Sequence, residues 1–439
     1  MFYGKNTPMK FVLSECPDSF PEKKGGRDFG RTVEVVPVSS RQLGKGKSSI
    51  LKIPAEFKVP VPFMFSEVMK IIQQGRMAIA GVIPSVMYRI LTSKATMSQG
   101  LIVGLLRGAL NNRVEILLNT RVRELLQKNG KIVGVKAKND DREITYTARK
   151  GVILATGSFD WNKALRDEFL PGPLEHSVTP PSNRGDAVVM AKQVGAKLSR
   201  MDEAWYWPAY YTGSRYKGAP LGKLLRRRSY PHTIIVNRMG RRFVNEAEHN
   251  MGNALMYERD AATGALVNQP AWLISDSQFH RKYEDLPLKL RSPDWLIKDK
   301  TLNGLAARIG VDAGGLQETV NRFNTYAKQG MDPDFYRNEF PYDRIHGDQR
   351  SQFACLGTIE EPPFYALQVF GSSVGTKGGL MTNANWQVIR EEKSVIEGLY
   401  AVGNCSTAII GPITIAPAVT LGSGMTAGYV AGRHAAQRK

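Results

Sequence analysis

The apolar run GVILATG at residues 151–157 constrains the fold of this chain more than any other feature. Four apolar residues follow one another in it, and a threonine and a glycine come directly after them. A strand that is apolar on both faces is typical of a parallel sheet with helices on both sides. A helical repeat at residues 97–112 and strand-like runs at residues 114–118, 131–138 and 143–148 precede it. The order of these patterns predicts an α/β layer domain.

The middle of the chain has a different composition. Aromatic residues become dense at residues 205–211, and a capped helix is predicted at residues 312–330. A glycine-rich pattern of strands and turns returns towards the C-terminus. We therefore predict one domain built from both chain ends, residues 1–205 and 372–439, with a second domain inserted at residues 206–371.

The overall composition is that of an ordinary soluble globular protein, with 42% hydrophobic and 23% charged residues among 439. No apolar run reaches the length of about 18 residues that predicts a membrane-spanning helix, and the first residues lack the order of a signal peptide. The three cysteines are too few and too scattered for a disulfide framework or a zinc site. We therefore expect a reducing, cytoplasmic location.

The formal net charge of +20 suits a nucleic acid, an anionic membrane surface or solubility alone. Zinc-finger spacing and aromatic RNA-binding signatures are missing, so we predict no nucleic-acid partner. Residues 68–91 mix Met, Ile and Val with Lys70, Arg76 and Arg89. We interpret this segment as a core-facing helix with a solvated basic face, and an interfacial helix on an anionic membrane is the alternative.

Glycine-rich segments lie at residues 155–159, 375–380 and 398–404, and another follows at residues 419–425. Glycine lets the backbone approach a flat ligand and offers amide donors without a side chain in the way. A strand end followed by glycine and a helix start is where α/β folds bind phosphates and nucleotides. A tight turn explains each segment alone equally well, but their order on one chain favours a cofactor site.

Several segments resemble the fumarate reductase and succinate dehydrogenase flavoprotein superfamily. The run GVILATGSFD at residues 151–160 resembles its second flavin-contacting motif, and IVNRMGRRFVNE at residues 235–246 resembles the strand that enters its substrate domain. Four further runs resemble the 3-ketosteroid Δ1-dehydrogenase branch: FNTYAKQGMDPDFYRNEFPYDRIHGD at 323–348, PPFYAL at 362–367, VGTKGGLMT at 374–382 and GLYAVGNCSTAIIG at 398–411.

The resemblance implies FAD as the cofactor and an α/β, Rossmann-like flavin-binding domain with an inserted α+β substrate domain. It implies a small hydrophobic ketone or steroid-like substrate and a separate electron acceptor. A helix that begins near residue 420 would direct its N-terminus at the flavin, where its dipole stabilises the negative charge of the reduced ring. The cofactor-binding residues implied are Val122, Ala155, Thr156, Gly157, Gly378, Gly379, Gly403, Asn404, Thr420 and Leu421.

The start of the chain departs from the family pattern. Complete members open with a strand, a G-x-G-x-x-G turn and a helix, which together bind the ADP half of FAD. No such turn precedes Lys94. We therefore expect the flavin-binding domain to be incomplete at its N-terminus, with an apolar sheet edge left exposed.

The catalytic positions depart from it as well. The resemblance implies that an ionised tyrosine removes a proton while hydride passes to the flavin, and that a second tyrosine polarises the ketone. The tyrosine positions fall at Asn250, at Thr414 and at Ser19 or Phe20. Where the family has Tyr-Pro-Gly-Ala-Gly, residues 414–418 read TIAPA.

Three side chains are candidate replacements in catalysis. His249 adjoins the expected tyrosine position and imidazole titrates near neutral pH, although an ordinary surface histidine explains it equally well. Tyr257 offers an aromatic hydroxyl in the same region, and Lys377 would polarise a carbonyl or the flavin unless it is a solvated lysine.

Two rival hypotheses remain open at the level of the sequence. A fumarate reductase-like enzyme needs an arginine proton donor, for which Arg238, Arg241, Arg242 and Arg344 are available. Arg241 and Arg242 are, however, expected to form structural pairs with Glu246 and Glu248. The other rival is a non-catalytic paralogue that keeps the fold without the chemistry.

Overall fold

The computed structural model describes residues 2–43, 61–74, 76–174, 177–216, 218–283 and 295–438. The chain divides into two compact units. Unit 1 is Met1–Leu118 with Asn338–Cys355, and unit 2 is Asn119–Arg337 with Leu356–Lys439.

The helices are α1 (Phe2–Asn6), α2 (Phe65–Gln74), α3 (Arg76–Leu91), α4 (Met97–Asn111), α5 (Lys163–Phe169), α6 (Asp186–Gln193), α7 (Gly252–Met256), α8 (Ser277–Tyr283), α9 (Leu302–Ile309), α10 (Ala313–Gln329), α11 (Pro341–His346) and α12 (Val419–Gln437). The strands are β1 (Phe11–Leu13), β2 (Val33–Val35), β3 (Val38–Ser39), β4 (Lys94–Ala95), β5 (Thr120–Lys128), β6 (Lys131–Asn139), β7 (Arg142–Thr147), β8 (Val152–Leu154), β9 (Leu198–Ser199), β10 (Ala204–Tyr210), β11 (Arg215–Tyr216), β12 (Ala219–Pro220), β13 (Lys223–Leu224), β14 (Thr233–Val236), β15 (Ala271–Ser275), β16 (Leu296–Asp299), β17 (Phe364–Thr376), β18 (Gly379–Leu380), β19 (Gln387–Ile389) and β20 (Val395–Ala401).

Unit 1 is built from short elements. The strand pairs β1–β2 and β3–β4 are antiparallel, and α2 and α3 lie next to each other along the chain. The helix predicted at residues 97–112 is confirmed as α4. The strand predicted at residues 114–118 is wrong, because these residues form no strand and Val114, Leu117 and Leu118 are exposed. An apolar run becomes a strand only where a neighbouring strand takes up its backbone hydrogen bonds.

Unit 2 contains a parallel strand pair where the sequence predicts one. Strand β8 from the GVILATG run pairs in parallel with β20, and β19 completes a three-stranded sheet. Strands β5, β6 and β7 form a separate antiparallel sheet. The runs predicted as strands at residues 131–138 and 143–148 are confirmed as β6 and β7. One apolar core under these sheets includes Leu154, Ile396 and Leu399.

A six-stranded antiparallel sheet forms the middle of unit 2, in the order β13-β10-β17-β15-β14 with β16 also paired to β17. The predicted helix at residues 312–330 is confirmed as α10. Its N-cap Asp312 accepts a hydrogen bond from the Gly315 amide, and Gly330 ends it in a left-handed conformation. Strand β17 continues through residue 371 without a break. The predicted division into domains at 205/206 and 371/372 stays a prediction.

Candidate functional site

Two of the glycine-rich segments that the sequence predicts at a cofactor site leave neighbouring strands at the same edge of a sheet. Ala401 is paired with Leu154 in the parallel β20–β8 ladder, and the Val402 amide donates to the Leu154 carbonyl over 2.9 Å. The Cys405 thiol donates to the same carbonyl over 3.2 Å. The segments that follow Leu154 and Val402 therefore start side by side at the carboxyl ends of parallel strands, where open α/β sheets bind their ligands.

The residues after β8 are shaped for a close backbone approach. Ala155 and Thr156 are exposed, and the Thr156 hydroxyl accepts from the Ala187 amide in the first turn of α6 at 3.2 Å. Gly157 has a φ of 78°, and a Cβ there would lie 2.7 Å from Asn183 Oδ1. Glycine is therefore required at position 157.

A small cavity lies beside the second segment. Its lining includes Trp205, Thr376, Gly403, Asn404 and Gly424. The buried Trp205 indole nitrogen has no hydrogen-bond partner among the described residues. A buried donor without an acceptor costs free energy, and an acceptor atom of a bound ligand would remove that cost.

The helix α12 begins next to this cavity. It has 19 residues, and its N-terminal first turn carries Thr420, half-buried, and Leu421, exposed. The first amides of a helix carry a partial positive charge and lack partners one turn earlier; in α12 the Leu421 amide donates to the Ala418 carbonyl over 3.0 Å, which leaves the amides of Val419 and Thr420 for a ligand. A Cβ added to Gly403 would meet nothing within 4 Å, so the backbone there is open to a ligand. The helix amides, the Trp205 indole donor and Gly403 together fit the flavin part of FAD.

Gly378 and Gly379 differ from the other predicted cofactor residues. Both are buried. A Cβ on Gly379 would lie 2.5 Å from the Cys405 carbonyl oxygen, and one on Gly378 would press on the Arg200 carbonyl. Both glycines permit tight packing of protein backbone, and neither presents an open surface.

Val122 lines another cavity of about 370 Å³. Four basic side chains share that lining: Arg121, Arg123, Lys163 and Arg184. The Arg121 guanidinium holds Asp186 with two hydrogen bonds of 2.9 and 2.7 Å. This surplus of positive charge suits an anionic ligand.

Lys377 is almost completely buried, with 1% of its surface exposed. Its ammonium group donates to the Pro412 carbonyl and lies 4.5 Å from the centre of the Trp205 ring. Burial lowers the pKa of Lys377 to about 8, against the opposing attraction of Glu203. The alternative of a solvated lysine is wrong because the surrounding protein excludes water from this side chain.

Tyr257 lies edge-to-face against Tyr206, with 5.3 Å between ring centres. Its hydroxyl donates to the Asp202 carbonyl over 3.3 Å. Burial raises the pKa of Tyr257 to about 12. A base needs the opposite change, since a tyrosinate forms at neutral pH only where its pKa is lowered.

His249 and Asn250 lie where the resemblance places a catalytic tyrosine. The half-buried His249 ring stands edge-on to Trp207 with 5.0 Å between centres. The Asn250 side chain donates to the Thr414 carbonyl over 3.1 Å and accepts from the Thr414 amide over 2.6 Å. The two positions at which the resemblance implies tyrosines, 250 and 414, are therefore in direct contact, although 164 residues separate them in sequence.

We call residues 406–418 the C-terminal loop. Three side chains from elsewhere in unit 2 hold it. Arg200 donates to the carbonyls of Ala408 and Ile410 over 3.3 and 2.8 Å, Lys377 donates to Pro412, and Asn250 pairs with Thr414. The sequence gives no local signal for Arg200, because its partners lie about two hundred residues away.

The four candidate arginines of the fumarate reductase alternative have separate surroundings. The Arg242 side chain, 3% exposed, forms ion pairs with Glu246 at 2.7 Å and Asp332 at 2.8 Å, so the expected pair with Glu246 is confirmed. Arg241 pairs with the exposed Glu318 at 3.3 Å and not with Glu248. Arg238 is exposed. Arg344, in unit 1, donates to two carbonyls of its own segment.

Two kinds of site are missing from the described part of the chain. No group of three or more His, Cys, Asp or Glu side chains there is arranged to hold a metal ion. Its helices are also too short or too polar to cross a bilayer.

Comparison with known proteins agrees with this geometry. The family model described as FAD binding domain matches residues 20–421. The 3-oxosteroid 1-dehydrogenase of Mycobacterium tuberculosis is 34% identical over 470 aligned positions, which cover all of this chain and 82% of that protein. The 4-oxocyclohexanecarboxylate 2-dehydrogenase of Sinomonas cyclohexanicum is 35% identical over 76% of this chain and 60% of its own length.

Among solved structures, the 3-ketosteroid delta1-dehydrogenase of Sterolibacterium denitrificans in complex with 1,4-androstadiene-3,17-dione superposes with a TM-score of 0.90. It is 30% identical, and the match covers all of this chain and 83% of that one. The predicted fold class is confirmed by this match. The chain therefore belongs to the family of FAD-binding oxidoreductases that includes the 3-oxosteroid 1-dehydrogenases, and FAD is its cofactor.

Proposed function

We propose that this chain is an FAD-dependent oxidoreductase that acts on a CH–CH bond beside a ring ketone, with a steroid-like or smaller cyclic ketone as substrate. The carrying observation is that the segments after β8 and β20 start side by side at the carboxyl ends of parallel strands, and that the cavity beside Gly403 is lined by the start of the C-terminal loop and by Gly424 of α12. The names of its relatives support a ring ketone, since one is a 3-oxosteroid and another a 4-oxocyclohexanecarboxylate dehydrogenase.

Two groups of residues would bind the two halves of the cofactor. Gly157, Gly403, Asn404 and the amides of the first turn of α12 would hold the flavin, which supplies two-electron chemistry when bound. The basic cavity beside Val122 would take the negatively charged ADP half. Gly378 and Gly379 contribute only by allowing β18 to pack closely.

We propose His249 as the group that accepts the substrate proton. The Lys377 ammonium already donates to the Pro412 carbonyl, and the pKa of Tyr257 is raised and not lowered, even though 37% of its surface is exposed. Imidazole is the side chain that accepts protons at neutral pH. His249 also adjoins Asn250, which ties the C-terminal loop in place.

A second candidate function is a paralogue that binds FAD and the ketone but performs no desaturation. The mutual hydrogen bonds of Asn250 and Thr414 favour it, because neither residue can become the basic phenolate that the resemblance implies at these positions. The unidentified electron acceptor implied by the resemblance stays a prediction, and so does the membrane contact that the sequence leaves open as an alternative.

Absorbance spectroscopy and a turnover assay separate these functions. The purified protein should show flavin absorbance between about 350 and 500 nm, alone or after addition of FAD. A protein that takes up no FAD would contradict both functions. Turnover is then measured with a 3-keto steroid and a 4-oxocyclohexane carboxylate, with a dye as electron acceptor. Bound FAD without turnover of either ketone selects the non-catalytic paralogue.

The proton acceptor is tested by H249Q. We expect turnover to fall by about 10²–10⁴-fold, as for loss of a general base, with unchanged flavin absorbance. The matched control is H346Q, whose ring stacks on Tyr342 in unit 1. Equal turnover of H249Q and the parent protein would refute the role of His249 and leave the oxidoreductase function standing.

A further inference from the structure

Another cavity in unit 2 lies against the apolar core of the antiparallel sheet. Its volume of about 380 Å³ is within the range of about 300–1,000 Å³ found for small-molecule sites. Most of its wall is formed by six apolar side chains: Leu224, Leu225, Leu273, Phe279, Leu296 and Leu367. The rings of Tyr210 and Trp295, 5.7 Å apart between centres, complete the apolar wall. We call this site the Tyr210 cavity.

The Tyr210 cavity is separate from the cavity that fits the flavin. The two cavities share no lining residue. Side chains alternate between the two faces along a strand, so Trp207 and Tyr210 lie on opposite faces of β10. Trp207 contacts His249, whereas Tyr210 packs against the core that includes Tyr206. A ligand in the Tyr210 cavity would therefore occupy a site other than the one proposed for the ketone.

The short helical turn after β13 carries three consecutive arginines with different surroundings. Arg228 is buried, and its guanidinium lies 4.5 Å from the centre of the Trp207 ring. Arg227 donates to the Tyr283 carbonyl. Arg226 is exposed, lines the Tyr210 cavity and forms no hydrogen bond or ion pair with a described residue. Its guanidinium is therefore available to a ligand at the edge of the cavity.

The other polar groups of the wall differ in the same way. The Ser275 hydroxyl and the His280 ring are hydrogen-bonded to each other over 3.1 Å, and His280 stacks on Tyr365 with 3.8 Å between centres. The Tyr210 hydroxyl forms no hydrogen bond with a described residue. Among the described residues that line the cavity, none is Asp or Glu. The available donors are thus a guanidinium and a phenol, and both bind carboxylates.

We propose that the Tyr210 cavity binds an amphipathic carboxylate. Its apolar body lies against the leucine side chains, and its head accepts hydrogen bonds from Arg226 and Tyr210. A guanidinium presents parallel donors that match the two oxygens of a carboxylate. A neutral ligand gains only the burial of its apolar surface, and a cationic ligand is repelled by Arg226. This site goes beyond the oxidoreductase function, because binding there requires neither a ketone nor electron transfer.

Isothermal titration calorimetry of the FAD-loaded protein with octanoate tests this proposal. Octan-1-ol has the same chain length and no charge, so it measures the apolar contribution alone. Octanoate should bind at a single site and at least about tenfold more tightly than octanol, because hydrogen bonds to a charged group contribute at least that factor. In R226Q the affinity for octanoate should fall about tenfold, whereas that for octanol should change by less than about twofold.

The matched control is R149Q. It also removes one exposed arginine from unit 2, and it should keep octanoate affinity within about twofold, since screened surface charge contributes little. A second variant, L224W, fills the cavity from a half-buried position on the edge strand β13 and should abolish binding of both ligands. Circular dichroism verifies that the variants fold, and R226Q decides the test if L224W does not.

Four results would overturn the proposal. One is a parent protein that shows no saturable binding of octanoate. Another is equal affinity for octanoate and octanol, and a third is equal loss of octanoate binding in R226Q and R149Q. The fourth is displacement of octanoate by a saturating 3-keto steroid, because the cavity would then belong to the ketone site. Turnover plays no part in these measurements, so a failure of the proposed function would be seen separately.

Discussion

Arg337 and Lys377 are both cations with almost no exposed surface, at 0% and 1%, but their surroundings differ. Arg337 donates to Glu246 at 3.0 Å and to the carbonyls of Thr233 and Tyr230 at 2.7 and 2.8 Å. Lys377 has a carbonyl and an aromatic ring as neighbours, and it forms no ion pair among the described residues. We call the first arrangement, formed by Arg242, Glu246, Asp332 and Arg337, the charge cluster.

The difference between these two surroundings separates a structural cluster from the candidate site. In the charge cluster two arginines meet two carboxylates, and Phe323 lies 5.0 Å from the Arg242 guanidinium. The C-terminal loop instead contains a left-handed alanine, Ala418, and receives a hydrogen bond from the buried ammonium of Lys377, which lies against Trp205, whose buried indole donor has no partner among the described residues. Matched charges stabilise a fold, whereas unmatched and strained groups concentrate where a ligand completes the structure.

Removal of one carboxylate from the charge cluster should change the free energy of unfolding more than any other substitution considered. Burial raises the pKa of Glu246, but Arg242 and Arg337 outweigh it and lower that pKa to about 2. In E246Q the two arginines lose their shared partner, so we expect the free energy of unfolding to fall by about 3–5 kcal/mol, measured by urea denaturation. The control E318Q removes the exposed partner of Arg241 and should cost less than about 1 kcal/mol. Equal losses would contradict the distinction between the two sites.

The pH dependence of stability should identify Lys377 as the unmatched cation. Its pKa is lowered to about 8 in the folded protein and is about 10.4 in an unfolded chain. Between these values the unfolded state binds more protons, so this group makes the folded state more stable as pH rises. The free energy of unfolding of the parent protein, minus that of K377M, should increase by about 1–2 kcal/mol between about pH 7.5 and 9.5. A flat difference would mean that Lys377 is not desolvated.

Loss of the Asn250 side chain should loosen the C-terminal loop. The variant N250A removes both hydrogen bonds to Thr414, and we expect a loss of about 1 kcal/mol per bond at most, because water can reach the half-buried Thr414 backbone. Hydrogen exchange at the Thr414 amide should become faster. N253A, on the adjoining α7, is the control and should leave that amide protected. Unchanged exchange in N250A would show that Arg200 and Lys377 hold the loop without it.

Local patterns account for what the sequence predicts correctly. The parallel strand β8, the hairpin β6–β7 and the capped helix α10 each depend on neighbouring residues: an apolar run, an alternation, and the pair Asp312 and Gly330. The run at residues 114–118 shows the limit, because it has the apolar composition of a strand and no neighbouring strand in the structure.

Long-range contacts account for most of what the sequence does not reveal about the site. Glycine at 378 and 379 looks the same in the sequence as glycine at 403, but backbone from Arg200 and Cys405 packs against the first two. The contact of Asn250 with Thr414 joins residues 164 positions apart. The assignment of His249 as the base stays a prediction, since it depends on a substrate position.

The smallest expected effect concerns strain in the C-terminal loop. Ala418, the N-cap of α12, has a φ of 57°, a left-handed conformation that a Cβ disfavours. In A418G that cost disappears, but glycine gains entropy in the unfolded chain, so we expect a net stabilisation of only about 0.5–1 kcal/mol. The control A262G lies in an exposed turn without a positive φ and should destabilise by a similar amount through the unfolded state alone. Opposite signs for the two variants, measured by urea denaturation, would confirm that strain is stored at the N-terminus of α12, and equal signs would show that Ala418 is not strained.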